Sequence, residues 1–158
     1  MRKELFKHEI TLLRDTFGRL LRRHAETNLI KLIKKTHPAD LAIIIRYFND
    51  DEQMQVFNLM NSSNHTLEFL IELDDTIIER LLNQENVDRI AELIQNASTN
   101  DQSYILGTLN QSQAKSVIDL LKKEEKEEIE ELMGYPDDSA GAMMATDVFT
   151  LYQDTTCG

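Results

Sequence analysis

The sequence predicts an all-α fold: a right-handed, solenoid-like superhelix of about eight to nine short helices, with a C-terminal loop and an orphan β-strand. Three observations predict it. Apolar residues recur every twelve positions through most of the chain. Helix-starting residues precede the apolar runs. Residues 36–134 contain only one proline and two glycines, so little interrupts the helices.

The first element is a longer amphipathic helix within residues 1–35, and "ETNLIKLIKKT" at 26–36 continues or follows it. Its apolar positions are Leu5, Ile10, Leu12, Leu13, Phe17, Leu20 and Leu21. Residues 1–37 hold ten Lys or Arg against four Asp or Glu, a net charge of +6. This basic leader could touch anionic lipid or nucleic acid, but a solvated face or pairing with the acidic body is the simpler interpretation.

The body that follows has a period of twelve residues. Eight apolar residues stand twelve apart: Ile45, Phe57, Phe69, Leu81, Leu93, Ile105, Val117 and Ile129. Twelve residues suit one helix of two to three turns and a tight turn, so two repeats make a helical hairpin. Stacked hairpins would form the superhelix of residues 36–134.

Residues that favour the start of a helix recur with about the same twelve-residue period. Pro38, after His37, suits a first turn. Further candidate N-caps precede later apolar runs: Asn49 or Asp50, Ser63, Asp74 or Asp75, Asn86, Ser98 or Thr99, and Asn110 or Ser112. Helices this short need tertiary packing to be stable.

The helical pattern breaks at Gly134 and Pro136, and "VFTLYQ" from Val148 alternates like a strand. A single strand is not a stable end for a domain. We therefore expect residues 135–158 to be a linker and the truncated start of another domain.

No catalytic signature is present, and we expect neither an enzyme nor a cofactor-binding residue. The four histidines are scattered, and the single cysteine, Cys157, can form no intrachain disulfide. No apolar run approaches the length of a membrane span. The net charge of residues 38–158, seven Lys or Arg against 24 Asp or Glu, is −17. Such a body repels nucleic acid and attracts cations.

Carboxylates are therefore the candidate ligands. Glu68 and Glu72 stand four apart on one predicted helix, and Asp74 with Asp75 open the next. Paired carboxylates on rigid helices suit hard cations such as Mg²⁺ or Ca²⁺. The alternative for each pair is a solvated face that offsets a helix dipole.

Two stretches resemble the cytosolic N-terminal region of the MgtE family of magnesium transporters. They are "THPADLAIIIRYFNDDEQMQVFNLMN" at 36–61 and "STNDQSYILGTLNQSQAKSVIDLLKKEEKEEIEELMGYPDDSAGAMMATDVFTLYQDTTCG" at 98–158. The Tyr135-Pro136 pair followed by Ser139-Ala140-Gly141 is the more specific motif. The basic leader matches no motif of the family.

The resemblance implies a magnesium-sensing regulatory domain that precedes a pair of cystathionine-β-synthase (CBS) domains and a membrane pore in a homodimer. Mg²⁺ would bridge acidic residues of the N and CBS domains and favour the closed pore. The implied partners are the CBS domains of the same polypeptide, with no nucleic acid. The parent would lie at the cytoplasmic face of the membrane, reached only through a transmembrane part outside this soluble fragment.

The family commonly has an Asp-Asp-x-x-Asp pattern where this chain has Asn100, Asp101 and Tyr104. Only Asp101 keeps its carboxylate. The resemblance therefore leaves three alternatives: Asp101 is a metal ligand, the role moves to Glu68, Glu72, Asp74 or Asp75, or sensing is weakened in this chain. The alternative function is a helical-repeat adapter related to the flagellar motor switch protein FliG, which carries a similar His-Pro motif.

Overall fold

In the computed structural model, the described residues are 2–60 and 65–134, and they form ten α-helices joined by short turns. The helices are α1 (Arg2–Arg22), α2 (Glu26–Ile33), α3 (Pro38–Ile45), α4 (Asp50–Met60), α5 (Thr66–Ile71), α6 (Asp75–Leu82), α7 (Val87–Ile94), α8 (Thr99–Thr108), α9 (Gln111–Ile118) and α10 (Lys123–Met133). The predicted all-α fold is confirmed. Eight described helices, α3 to α10, lie within residues 36–134, and α2 lies within the predicted leader. The expected loop and strand fall outside the described residues.

Each helix from α1 to α8 packs against the helix two places further along the chain, and α1 also packs against α2. This next-but-one pattern runs from α1 on α3, through α4 on α6 and α6 on α8, to α8 on α10. A stack of helical hairpins has this pattern, because each hairpin lies on its neighbours. The right-handed sense of the superhelix stays a prediction.

The first residues of the helices follow the twelve-residue period closely. Five helices, α6 to α10, begin at 75, 87, 99, 111 and 123, and α2 to α4 begin at 26, 38 and 50. Among the described helices from α2 onward, the twelve-residue spacing of helix starts is broken only between α4 and α6, where α5 begins at 66.

The apolar residues of the twelve-residue period form much of the core. Seven of the eight are no more than 1% exposed, and the exception is Leu93. There the neighbouring Ile94 is fully buried and Leu93 packs at the edge. Phe17 and Leu21 of α1 and Leu29 of α2 lie in the same core. The first two helices are thus packed onto the body.

Four predicted N-caps are confirmed by hydrogen bonds, whereas Asp74 holds the N-cap position of α6 without a side-chain capping bond. His37, which was not predicted as a cap, also acts as one. The His37 Nδ1 atom accepts from the Ala39 N–H at 3.3 Å, with Pro38 in the first turn. Asn49 and Glu52 form a reciprocal capping box. The side chains of Asn86, Ser98 and Asn110 cap α7, α8 and α9. Ser63 lies outside the described residues.

Two buried glutamines repeat one structural role. Gln53 and Gln102, each the fourth residue of its helix, donate through Nε2 to the carbonyls of Ile45 and Ile94, eight residues earlier. The Gln53 side chain also accepts from Arg80, whose Nη1 lies 3.1 Å from Asp50 Oδ1. Each glutamine adds a second donor to a carbonyl at the end of α3 or α7, which also accepts the backbone N–H of Phe48 or Ala97.

Candidate functional site

The start of α6 places two carboxylates at the surface. Asp74 is the N-cap residue in an extended conformation (φ −72°, ψ 142°), and its side chain makes no capping hydrogen bond. Asp75 is the first helical residue, where negative charge offsets the helix dipole. Both side chains are exposed, because buried Leu73 and Ile77 anchor the turn on either side.

Each of these aspartates contacts a different neighbouring element. The Arg46 Nε atom lies 3.2 Å from Asp74 Oδ2, and Arg46 Nη2 donates to the Glu72 carbonyl at 3.2 Å. The Asp75 Oδ1 atom accepts a hydrogen bond from the Tyr104 hydroxyl of α8 at 2.7 Å. Asp74 thus faces a fixed cation, whereas Asp75 faces a neutral donor.

The Tyr104 hydroxyl is strongly held in its protonated form. Partial burial comes first among the causes that raise the pKa of Tyr104 to about 12, followed by the hydrogen bond to Asp75 and the negative charges of Asp75 and Asp74. At neutral pH the phenol therefore remains a donor to Asp75.

Asp75 and Tyr104 lie on the wall of a groove of about 600 Å³ between α6, α8 and the end of α10. Glu79, one helical turn after Asp75, and Asn100, one turn before Tyr104, also line it. The Asn100 Oδ1 atom is buried and has no hydrogen-bond partner among the described residues. The groove thus combines two carboxylates, an amide oxygen and a phenol.

The other sequence-predicted ligands are absent from the lining of this groove. The Glu68 Oε2 atom is 2.8 Å from His65 Nδ1. Glu72 is the exposed C-cap residue of α5. Asp101 Oδ2 accepts from the Ser98 hydroxyl at 2.8 Å at the start of α8.

Within residues 2–60 and 65–134, no group of three or more His, Cys, Asp or Glu side chains is arranged to hold a metal ion. Mg²⁺ takes oxygen ligands, keeps several waters and is usually held by one or two carboxylates together with substrate phosphates rather than by an all-protein cage. The carboxylates of Asp75 and Glu79 and the free oxygen of Asn100 fit part of such a shell.

Glu79 was missed by the sequence analysis. Its spacing of four from Asp75 is a signal that could have found it, because residues i and i+4 share a helix face. The Tyr104 contact had no such signal, since 29 residues separate it from Asp75.

A family model described as the MgtE intracellular N domain matches residues 36–138. The chain belongs to the MgtE N-domain family. The match excludes α1 and α2, in keeping with a leader for which the sequence offered no motif.

A solved structure of the soluble part of a magnesium transporter has a similar fold to this MgtE N domain. Its TM-score is 0.69 at 20% sequence identity, and the match covers 87% of this chain and 54% of the other. At that identity the likeness shows the fold, and this chain spans about half the length of that structure. A search of curated proteins found no significant match. Among the described helices, none is both long and apolar enough to cross a membrane.

Proposed function

We propose that this chain is the magnesium-sensing regulatory domain of an MgtE-type magnesium transporter or channel, at the cytoplasmic face of the membrane. Mg²⁺ would bridge its acidic residues to CBS domains of the same polypeptide, in a homodimer, and so favour the closed pore. The observation that carries the proposal is the exposed acidic start of α6 beside the α6–α8 groove, in a member of this family.

The charge of the body supports an electrostatic clamp. Residues 38–158 carry a net charge of −17, so a second acidic surface brought against them is repelled. At physiological ionic strength the repulsion acts over about 8 Å, which spans a narrow gap between domains. A divalent cation held between the two surfaces replaces that repulsion with shared ligands.

The ligands in the groove fit an ion shared between two domains better than a site formed by this domain alone. Asp75 and Glu79 supply two carboxylates, fewer than a dedicated all-protein cage would need. A bridging ion would take its remaining ligands from the facing domain and from water. Binding would then depend on the two domains coming together, which is what a sensor that controls domain closure requires.

Tyr104 is part of the same proposal. Its hydroxyl holds one Asp75 oxygen at 2.7 Å, so an ion that uses that oxygen must displace a hydrogen bond. We expect this competition to weaken magnesium binding relative to a chain with a free carboxylate at position 75. Glu68, Glu72, Asp74 and Asp101 also remain proposed ligands. They rank below Asp75 and Glu79 because they lie outside the groove lining.

The test is magnesium titration by calorimetry of a protein extended through the CBS pair. Asp75→Asn should weaken magnesium binding by about tenfold or more, since even outer-shell changes cost that much at metal sites. Asp88→Asn is the matched control, because Asp88 is an exposed carboxylate in the first turn of α7. Equal affinities for the wild type and Asp75→Asn would reject Asp75 as a ligand. If only Asp88→Asn weakens magnesium binding, the α6–α8 groove is rejected as the magnesium site.

A further inference from the structure

Six cationic side chains of α1, α2 and the adjoining turns form an unneutralised surface, here called the basic face. Its members are Arg19, Arg22, Arg23, Lys31, Lys34 and Lys35, and all six are exposed. None of them makes an ion pair with a carboxylate among the described residues. The pairing with the acidic body that the sequence suggested for the leader is therefore absent at these six positions.

The arginines of the body behave differently. Arg46, Arg80 and Arg89 each lie within 3.2 Å of a carboxylate oxygen. In the leader, Arg14 is similarly engaged, by Asp15 and by the Tyr47 ring. The fold thus pairs arginines where carboxylates are near, but Glu26 is the only carboxylate among residues 16–37. The basic face keeps its charge available for an external anion.

The helix geometry gathers these charges into two groups. Arg19 and Arg23 are four residues apart, and Arg22 is three from Arg19, so they lie on adjacent turns at the end of α1. Lys31 lies in the last turn of α2, and Lys34, its C-cap residue, and Lys35 follow with the same spacing of three and four. The two helices pack against each other, which places both groups on one helical hairpin.

An exposed leucine extends the first group along α1. Leu12 is 61% exposed. It lies seven residues before Arg19, about two turns, and therefore on the same face of the helix. Leu21, nine residues later and on the opposite face, is buried in the core. A helix that turns cations and an apolar side chain outward is typical of a contact with a lipid surface, where headgroups meet acyl chains.

We propose that the basic face binds the headgroups of anionic phospholipids at the membrane that holds the parent protein. The choice of lipid over nucleic acid rests on the proposed function, which puts this domain beside a membrane pore. Clusters of four to eight Lys or Arg near a membrane are the usual signature of such binding. The acidic body would be repelled by the same surface, so the contact would orient the domain with α1 and α2 toward the bilayer.

The test is cosedimentation of the chain with vesicles of equal parts phosphatidylglycerol and phosphatidylcholine, in EDTA and low salt. We expect binding to these vesicles, none to pure phosphatidylcholine, and release as salt is raised. Each lost cation should weaken binding about fivefold, the equivalent of about 1 kcal/mol per basic residue. Arg19→Gln with Arg23→Gln should therefore cost about 25-fold, and so should Lys31→Gln with Lys34→Gln.

Lys115→Gln is the matched control, because Lys115 is an exposed lysine on α9 in the acidic body. It should leave vesicle affinity within about twofold, since surface attraction falls off within a screening length. An equal loss in the control, or a loss from only one of the two double variants, would overturn the basic face as one lipid-binding surface.

Two further results would also overturn the inference: tighter binding to a DNA duplex than to the vesicles, or self-association of the chain that the same substitutions abolish. The assay contains no magnesium, so it is independent of the sensing proposal. If the chain does not bind vesicles but the extended protein still closes with Mg²⁺, only the lipid-binding inference is rejected. If the chain binds vesicles but the extended protein does not respond to Mg²⁺, the proposed function is rejected and the cationic contact with lipid stands.

Discussion

Replacing Tyr104 with phenylalanine removes the hydroxyl that donates to Asp75 Oδ1 at 2.7 Å and leaves the ring in place. Hydrogen bonds to charged groups contribute about 1.5–3 kcal/mol when well shielded, and exposed charged pairs contribute about 0.2–1 kcal/mol. Tyr104 is 41% exposed, which places this bond between the two ranges. We expect a loss of about 1 kcal/mol, or about 2–4 °C in Tm.

A double-mutant cycle with Asp75→Ala isolates this hydrogen bond. Unfolding by urea at neutral pH should give a coupling free energy of about 1 kcal/mol between the two substitutions, because each removes the same contact. Additive effects within about 0.3 kcal/mol would refute the hydrogen bond as a stabilising contact. On the proposed function, Tyr104→Phe should also tighten magnesium binding in the extended protein, because the Asp75 oxygen is freed.

The pH dependence follows from the raised pKa of Tyr104. A group whose folded pKa lies above its unfolded value stabilises the fold below the unfolded pKa, here 10.0, and that stability is lost as the pH rises toward about 12. The stability difference between the wild type and Tyr104→Phe should therefore be constant at neutral pH and shrink above about pH 10. A tyrosinate absorbance difference between the two proteins, centred near 12 rather than 10, would confirm the shift.

Three other predictions concern the fold. Ile94→Ala should destabilise the chain by about 2–5 kcal/mol in urea unfolding, and Leu93→Ala by clearly less, because Ile94 is fully buried; the reverse order would contradict the packing of α7. Asn86→Ala should cost about 0.5–2 kcal/mol and Asn86→Gly only a few tenths, by the same measurement, because the side chain caps α7; equal costs would argue against the cap. Lys126→Ala should raise the pKa of Asp119, which the Lys126 contact at 2.6 Å lowers, and NMR titration would detect it. The stability tied to that low pKa is present above the unfolded pKa and lost as the pH falls, so the variant should lose less stability in acid; an unchanged Asp119 pKa would contradict the contact.

The sequence was sufficient for the repeat but not for its irregularity. The twelve-residue repeat of apolar residues located the core at seven of eight positions, because most repeats supply one short helix that buries the same position. At α7 the phase shifts by one residue, from Leu93 to Ile94. Which of two adjacent residues is buried depends on how the neighbouring helices pack, and no local sequence pattern encodes that packing.

The candidate site was predictable only in part. Asp74 and Asp75 are a local helix-start signal, and their exposure follows from that position. Their partners, Arg46 and Tyr104, come from elements about 28 residues before and 29 after in the chain. Such contacts depend on next-but-one helix packing, so the sequence could name the carboxylates but not the groups that compete for them.

The central claim is that Mg²⁺ bridges this domain to the CBS domains, and small-angle X-ray scattering of a protein extended through the CBS pair tests it most directly. We expect a smaller radius of gyration on adding Mg²⁺, and no such change in the Asp74→Asn, Asp75→Asn double variant. A wild-type radius of gyration that does not change with Mg²⁺, or full compaction of the double variant, would contradict the bridging of the two domains by Mg²⁺.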